Sequence, residues 1–137
     1  MASRTPSRPI SPHLGIYRWG PHMLVSILHR ATGDGMATLG SLLLVWWLAA
    51  IAAGGEAYAT FLDVFTLSDG RLNVVGWVFG IGLTWALFQH MCSGIRHLVL
   101  DTGANYELKG NRLSARLAMA GGALLTALFW FYIIGVK

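Results

Sequence analysis

Residues 74–100 read VVGWVFGIGLTWALFQHMCSGIRHLVL, and the fold turns on how this stretch is understood. It is uncharged as far as Gln89, then carries His90, Arg96 and His97. A helix needs about 20 mostly apolar residues to cross a bilayer, where hydrocarbon offers no partner for backbone N–H and C=O groups. The same requirement is met twice more, by Met36 to Ala53, closed by Gly54 and Gly55, and by about Leu117 to Val136. The fold class is therefore an all-α integral membrane protein with three transmembrane helices, at about 29–53, 73–100 and 115–136, in one membrane-anchor domain, 1–137. Residues 1–25 form the N-terminal segment; with all four prolines, Pro6, Pro9, Pro12 and Pro21, it should be irregular up to about Pro21. The run Met23 to Arg30 has no breaker and starts a helix leading into the first span, across a join weakened by Gly33, Asp34 and Gly35.

Composition agrees. Of 137 residues, 55% are hydrophobic and 12% charged, and mean hydropathy is +0.56. The apolar share exceeds the roughly 45–50% of soluble domains, which excludes a disordered chain and argues against a water-soluble globule. Six Trp, six Phe and four Tyr suit aromatic belts at the bilayer surfaces. The net charge of +4 is not gathered into a stripe, so nucleic acid is not expected as a partner. Cys92, the single thiol, reads as a small buried apolar residue. The Trp46–Trp47 pair is expected to face lipid or a partner helix. No phosphate-binding glycine loop or nucleophile–base set is present, which excludes a self-contained hydrolase or dehydrogenase. About 35 residues precede the first apolar run and no export-type cleavage pattern follows it, so it is not a cleavable signal.

Arg4, Arg8, Arg18 and Arg30 precede the first span, whereas the first connection has only Arg71 against Glu56, Asp63 and Asp69. The second connection again gathers cations: Arg96, Lys109, Arg112 and Arg116. By the positive-inside rule the N-terminus is cytoplasmic (or on the matrix side) and the C-terminus outside.

Ionisable groups at membrane depth cost about 2.5–3.5 kcal/mol each, so each asks for a purpose. His90 lies about 9 Å deeper than Arg96 along the helix, on one face with Gly94 and His97. A neutral imidazole beside a glycine can ligate haem iron or simply hydrogen-bond a neighbouring helix. Ser26, His29, Arg30 and Gly33 share one face of the helix entering the first span. A hydroxyl and a guanidinium suit a quinone carbonyl, and Arg30 or His29 suits haem propionates. The plainer alternatives are that Ser26 caps a helix and Arg30 is a snorkelling anchor. Arg96 and Asp101 read as topology signals on a solvated surface.

Two motifs carry a resemblance. The first is RPISPHLGIY at Arg8 to Tyr17, followed by SILHRATG at Ser26 to Gly33; the second is HMCSGIRHLVLDTG at His90 to Gly103. In sequence and placement the chain resembles the cytochrome b membrane-anchor subunit of succinate dehydrogenase, respiratory complex II. The resemblance implies one haem b shared with a second haem-sharing membrane-anchor subunit, with His90 as an axial ligand and the other ligand from that partner. It implies ubiquinone as substrate, with Ser26 and Arg30 lining its site, and His29, His97 and Arg30 at or near the haem propionates. Further implied partners are an iron–sulfur subunit, a flavoprotein subunit and the lipid bilayer. Internal candidates for the second ligand are His13, His22, His29 and His97. Two positions depart from the family. Leu100 stands where an aromatic residue or Met is common, and Asp34 where many members are apolar; Asp34 then faces headgroups or balances Arg30.

The implied role is to hold the flavoprotein and iron–sulfur subunits on the membrane and form part of the ubiquinone-reduction site, as electrons pass from succinate to ubiquinone. Alone the chain lacks the cysteines and dinucleotide fingerprint for iron–sulfur clusters or flavin, so its being an enzyme by itself stays open. The alternatives are the anchor of a fumarate reductase running in reverse, a haem-free structural anchor, or a transport subunit. Transport is disfavoured because the polar groups lie at one end only. Only seven residues precede Arg8, too few for a mitochondrial presequence, so a bacterial inner membrane is preferred to the mitochondrial one.

Overall fold

A computed structural model describes residues 19–136. The motif at Arg8 to Tyr17, His13 included, lies outside the described residues. The elements are α1 (Pro21–Gly35), a π-helical turn (Met36–Gly40), α2 (Ser41–Ala53), α3 (Gly55–Phe65), α4 (Val74–Asp101) and α5 (Leu108–Gly135). Three helical stretches are long and apolar enough to cross a membrane: Pro21–Ala53, Val74–Asp101 and Leu108–Gly135. The all-α, three-span expectation therefore holds; among the described residues the only β feature is an isolated bridge, Thr66–Leu72.

Helix α1 opens with Pro21, whose fixed φ and missing N–H suit the first turn. The expected weak join at Gly33, Asp34 and Gly35 does not break the helix. Immediately after it the chain widens into the π turn, where the Ser41 N–H reaches the Met36 carbonyl, and then continues as α2. Gly54, at φ +107, ends α2 in a conformation few other residues adopt, and α3 begins at the next residue.

Helix α3 lies in the first connection, where no helix was anticipated from the sequence. It packs on both α2 and α4 through an aromatic chain: Trp46 meets Phe61 with ring centroids 4.8 Å apart, and Phe65 meets Phe79 at 6.0 Å. Trp46 thus has a partner within its own chain. A turn with Gly70 at φ +77 leads to Asn73, which caps α4 by accepting the Gly76 N–H at 2.9 Å. Its side-chain amide donates to the Val64 carbonyl at 2.9 Å, and its backbone N–H to Phe65 at 3.0 Å. Gly76 sits so close to the Phe65 carbonyl that a Cβ there would collide with backbone oxygen. Gly76→Ala should therefore destabilise the fold by about 1–3 kcal/mol, read as an earlier unfolding midpoint of the detergent-solubilised protein; an unchanged midpoint would mean that the α3–α4 corner is loose.

Helices α4 and α5 make the most extensive pairing. Ala115, Ala118, Gly122 and Thr126 form its buried stripe on α5, and a Cβ on Gly122 would lie 2.9 Å from Gln89 Cα. Small residues let helices approach where no hydrophobic effect separates them from lipid. Val25 of α1 closes the inner cluster on Ala115 and Ala118, with half-buried Cys92 and Met119 against it.

Arg96 is a correction. It is 7% exposed, not on a solvated surface, and it donates to Ser114 Oγ at 3.2 Å and Asn111 Oδ1 at 2.9 Å, tying α4 to α5. The snorkelling side chain found acceptors on the neighbouring helix instead of water. Asp101 is exposed, as expected.

Candidate functional site: a histidine clasp between α1 and α4

His29 lies on α1 and His90 on α4, and their rings stack at 3.9 Å with 12° between the planes. His97 meets the His29 ring edge-on at 4.9 Å. Three histidines predicted from separate motifs thus form one cluster. His22 makes no ring contact with it; its ring folds over Gly20, and its Nδ1 is buried without a partner among the described residues.

The hydrogen bonds fix the tautomers. His90 Nδ1 lies 3.1 Å from the His29 carbonyl oxygen, which can only accept, so Nδ1 carries the proton and Nε2 keeps its lone pair. Thr32 Oγ1 is 3.4 Å from the same nitrogen. On the other side, His29 Nδ1 is 2.7 Å from Ser93 Oγ. The single Ser93 proton points to helix carbonyls, Gln89 at 2.7 Å and His90 at 3.1 Å, so Ser93 accepts from the His29 N–H. Both imidazoles therefore hold Nδ1–H and leave Nε2 available.

One glycine makes the approach possible. A Cβ at Gly33 would lie 2.8 Å from His90 Cε1, whereas one at Gly94 would be in ordinary contact, 3.9 Å from His29 Cε1. The space beside Gly94, read from the sequence as room for a macrocycle next to His90, is thus taken by His29; the glycine that accommodates His90 is Gly33, on the other helix. The arrangement is reciprocal: His29-x-x-Thr32-Gly33 meets His90-x-x-Ser93-Gly94, each histidine facing the hydroxyl and glycine of the opposite helix. Thr32, Ser93 and the pairing of Gly33 with His90 were missed in the sequence. The repeated His-x-x-Ser/Thr-Gly pattern is the signal that would have found them.

Thr32 also lines an apolar cleft of about 450 Å³ between the two helices, with Leu28, Gly35, Phe79, Gly82 and Ala86. Ser26 and Arg30 lie one turn apart on α1. Ser26 is inside the helix and donates to the His22 carbonyl at 3.0 Å, so it is not an N-cap. Arg30 and Asp34 are exposed and unpaired with each other; among the described residues the only ion pair is Arg71–Asp69.

Residues 4–129 match the family model described as succinate dehydrogenase/fumarate reductase transmembrane subunit. The chain belongs to this family. Among similar transmembrane subunits, the succinate dehydrogenase cytochrome b556 subunit of Paracoccus denitrificans is 33% identical over 122 residues, covering 89% of this chain and 88% of the relative. The one from Rickettsia felis is 32% identical over 123 residues, covering 90% of each. The mitochondrial succinate dehydrogenase cytochrome b560 subunit of Mus musculus is 36% identical over 98 residues, covering 71% of this chain and 54% of the relative. The resemblance drawn from the two motifs is thus a family relationship across nearly the whole chain.

Proposed function

We propose that the chain is a haem b-binding anchor of a succinate dehydrogenase, holding the flavoprotein and iron–sulfur subunits at a bacterial inner membrane and forming part of the ubiquinone-reduction site. The observation that carries this is the His90 tautomer. A histidine that ligates a metal typically donates its other ring N–H to a carbonyl or carboxylate, which orients the ring and raises its basicity. His90 Nδ1 makes this contact with the His29 carbonyl, which leaves Nε2 as the atom that would hold iron. Haem, when bound, supplies one-electron redox chemistry.

His90 is the axial ligand in this reading. With their rings stacked face to face, His29 and His90 would not hold one iron between them. In this reading the second ligand would come from the partner anchor, as the family resemblance implies. His29, His97 and Arg30 would serve the propionates in this reading, supported by the contact of His97 with His29, and the apolar cleft beside Thr32 suits a flat hydrophobic group or the partner's helix. Arg30 and Ser26 hold the quinone carbonyl, with Arg30 stabilising the negative charge that grows on its oxygen during reduction. Electrons come from the iron–sulfur subunit and protons from the adjacent cytoplasmic water. The cation-rich ends, with Arg30, Lys109, Arg112 and Arg116, face the cytoplasm by the positive-inside rule.

The test is a reduced-minus-oxidised optical spectrum of the complex purified through a tag on this chain. A low-spin b-type signal in stoichiometric amount is expected. A complete, succinate-oxidising complex without it would leave a haem-free anchor as the better account.

A further inference from the structure

Ser93 has no role in the proposed function, yet it is 1% exposed and makes the shortest contact of the histidine clasp, 2.7 Å to His29. We infer that Ser93 is a positioning residue: by holding the His29 ring against His90, it sets the plane in which the His90 imidazole presents Nε2. This rests on the reading of His90 as a haem ligand.

A histidine ring has rotational freedom of its own. Rotation about its Cβ–Cγ bond lies in a broad, roughly two-fold well, so rotamer preference alone does not define the ring plane. For His90 the two closest polar and stacking contacts come from residue 29, beside Thr32 Oγ1 at 3.4 Å. The backbone carbonyl takes the Nδ1 proton at 3.1 Å, which fixes one atom of the ring. The His29 ring covers one face at 3.9 Å and 12°, which fixes the plane. The second contact is only as firm as the His29 ring itself, and the one hydrogen bond that this ring makes among the described residues is to Ser93.

Ser93 is well built for the task. It is an acceptor at this position because its own proton is committed to the Gln89 and His90 carbonyls one turn back. Its place on α4, three residues after His90, means that the ligand's own helix carries the group that locks the ligand's neighbour. The geometry is closed on itself: α4 holds His29 through Ser93, and α1 holds His90 through the carbonyl and ring of His29. Gly33 leaves no slack on the remaining side, since even a methyl there would touch His90 Cε1. Removing the hydroxyl leaves the half-buried N–H of His29 without its acceptor, so that ring turns to find another and the stacking is lost.

The plane of an axial imidazole controls the anisotropy of a low-spin ferric haem and contributes to its potential, and outer partners of metal-bound histidines are established levers on both. The experiment compares wild type, Ser93→Ala, Ser93→Thr and His90→Ala in the complete complex. It reads haem content, the largest g-value of the oxidised haem by electron paramagnetic resonance, and the midpoint potential. Succinate oxidation with an artificial acceptor reports assembly. Ser93→Ala should retain haem and assembly while shifting both the g-value and the potential, and Ser93→Thr, which keeps the hydroxyl, should restore them. An unchanged g-value and potential in Ser93→Ala, with the wild-type haem dependent on His90, would overturn the positioning role and leave the haem assignment standing. Loss of haem in both Ser93 variants would also overturn it, showing that the site needs serine for packing. A wild-type signal indifferent to His90→Ala would overturn the haem assignment and this inference together.

Discussion

Arg30→Ala is expected to lower ubiquinone reduction by about 10²–10³-fold in kcat/KM while succinate oxidation with an artificial acceptor stays near wild type. The reason is the position of the guanidinium. It is exposed on α1, one turn from Ser26, and makes no ion pair among the described residues, so its donors are available to a ligand. An exposed side chain of this kind contributes within about 0.5 kcal/mol to stability, so assembly should survive its removal. What is lost is a positive charge beside an oxygen that becomes negative as the quinone is reduced, and such a donor is worth several kcal/mol once the neighbouring subunits close the site to water. Arg30→Lys should recover part of the rate only, because a point charge replaces a planar fork of donors. Assays with ubiquinone and with an artificial acceptor, run on the same purified complex, separate the outcomes. Equal loss of both activities indicates failed assembly, and unchanged ubiquinone reduction sinks the assignment of Arg30.

The second large effect is on His90. If His90 holds the haem iron as proposed, His90→Ala should abolish the low-spin spectrum, because the iron would lose that ligand whether or not the haem stays in the complex. The chain should still fold, since other close helix contacts, Gln89 on Gly122 and Val25 in the cluster with Ala115 and Ala118, remain. Truncation also removes the His90 Nδ1–H bond to the His29 carbonyl, which keeps the Thr32 hydroxyl as a donor at 3.1 Å, so the loss is about 0.5–1.5 kcal/mol. Optical spectra and haem content, measured beside the succinate activity, decide the matter; an unchanged low-spin signal would require another ligand and remove His90 from the site.

Much of this was visible in the linear chain. Three apolar stretches long enough for a bilayer leave few architectures open, because in hydrocarbon the backbone must satisfy itself and only a helix does so within a single segment. His90 and Arg30 stood out for a related reason: an ionisable group at such depth is expensive, so its presence in an otherwise apolar run marks it. Helix α3 was less legible. Glu56 and Asp63 made its segment look like a solvated connection, and what holds it as a helix is the packing of Phe61 and Phe65 on Trp46 and Phe79, residues distant in sequence. Arg96 failed for the opposite reason. A cation at a span's end usually reaches for water, and nothing local announced that Asn111 and Ser114 on α5 would supply acceptors.

The clasp marks the boundary most clearly. The residue types, their three-and-four spacing and their repeat in two helices are properties of the chain alone, fixed by helical periodicity. Which histidine faces which hydroxyl, and that Gly33 rather than Gly94 makes room for His90, depends on the relative register of α1 and α4. That register comes from contacts between residues some sixty positions apart, where a shift of one turn would exchange every partner. Periodicity within a helix is local and can be read; the depth at which two helices lock is set by the shapes of both surfaces at once.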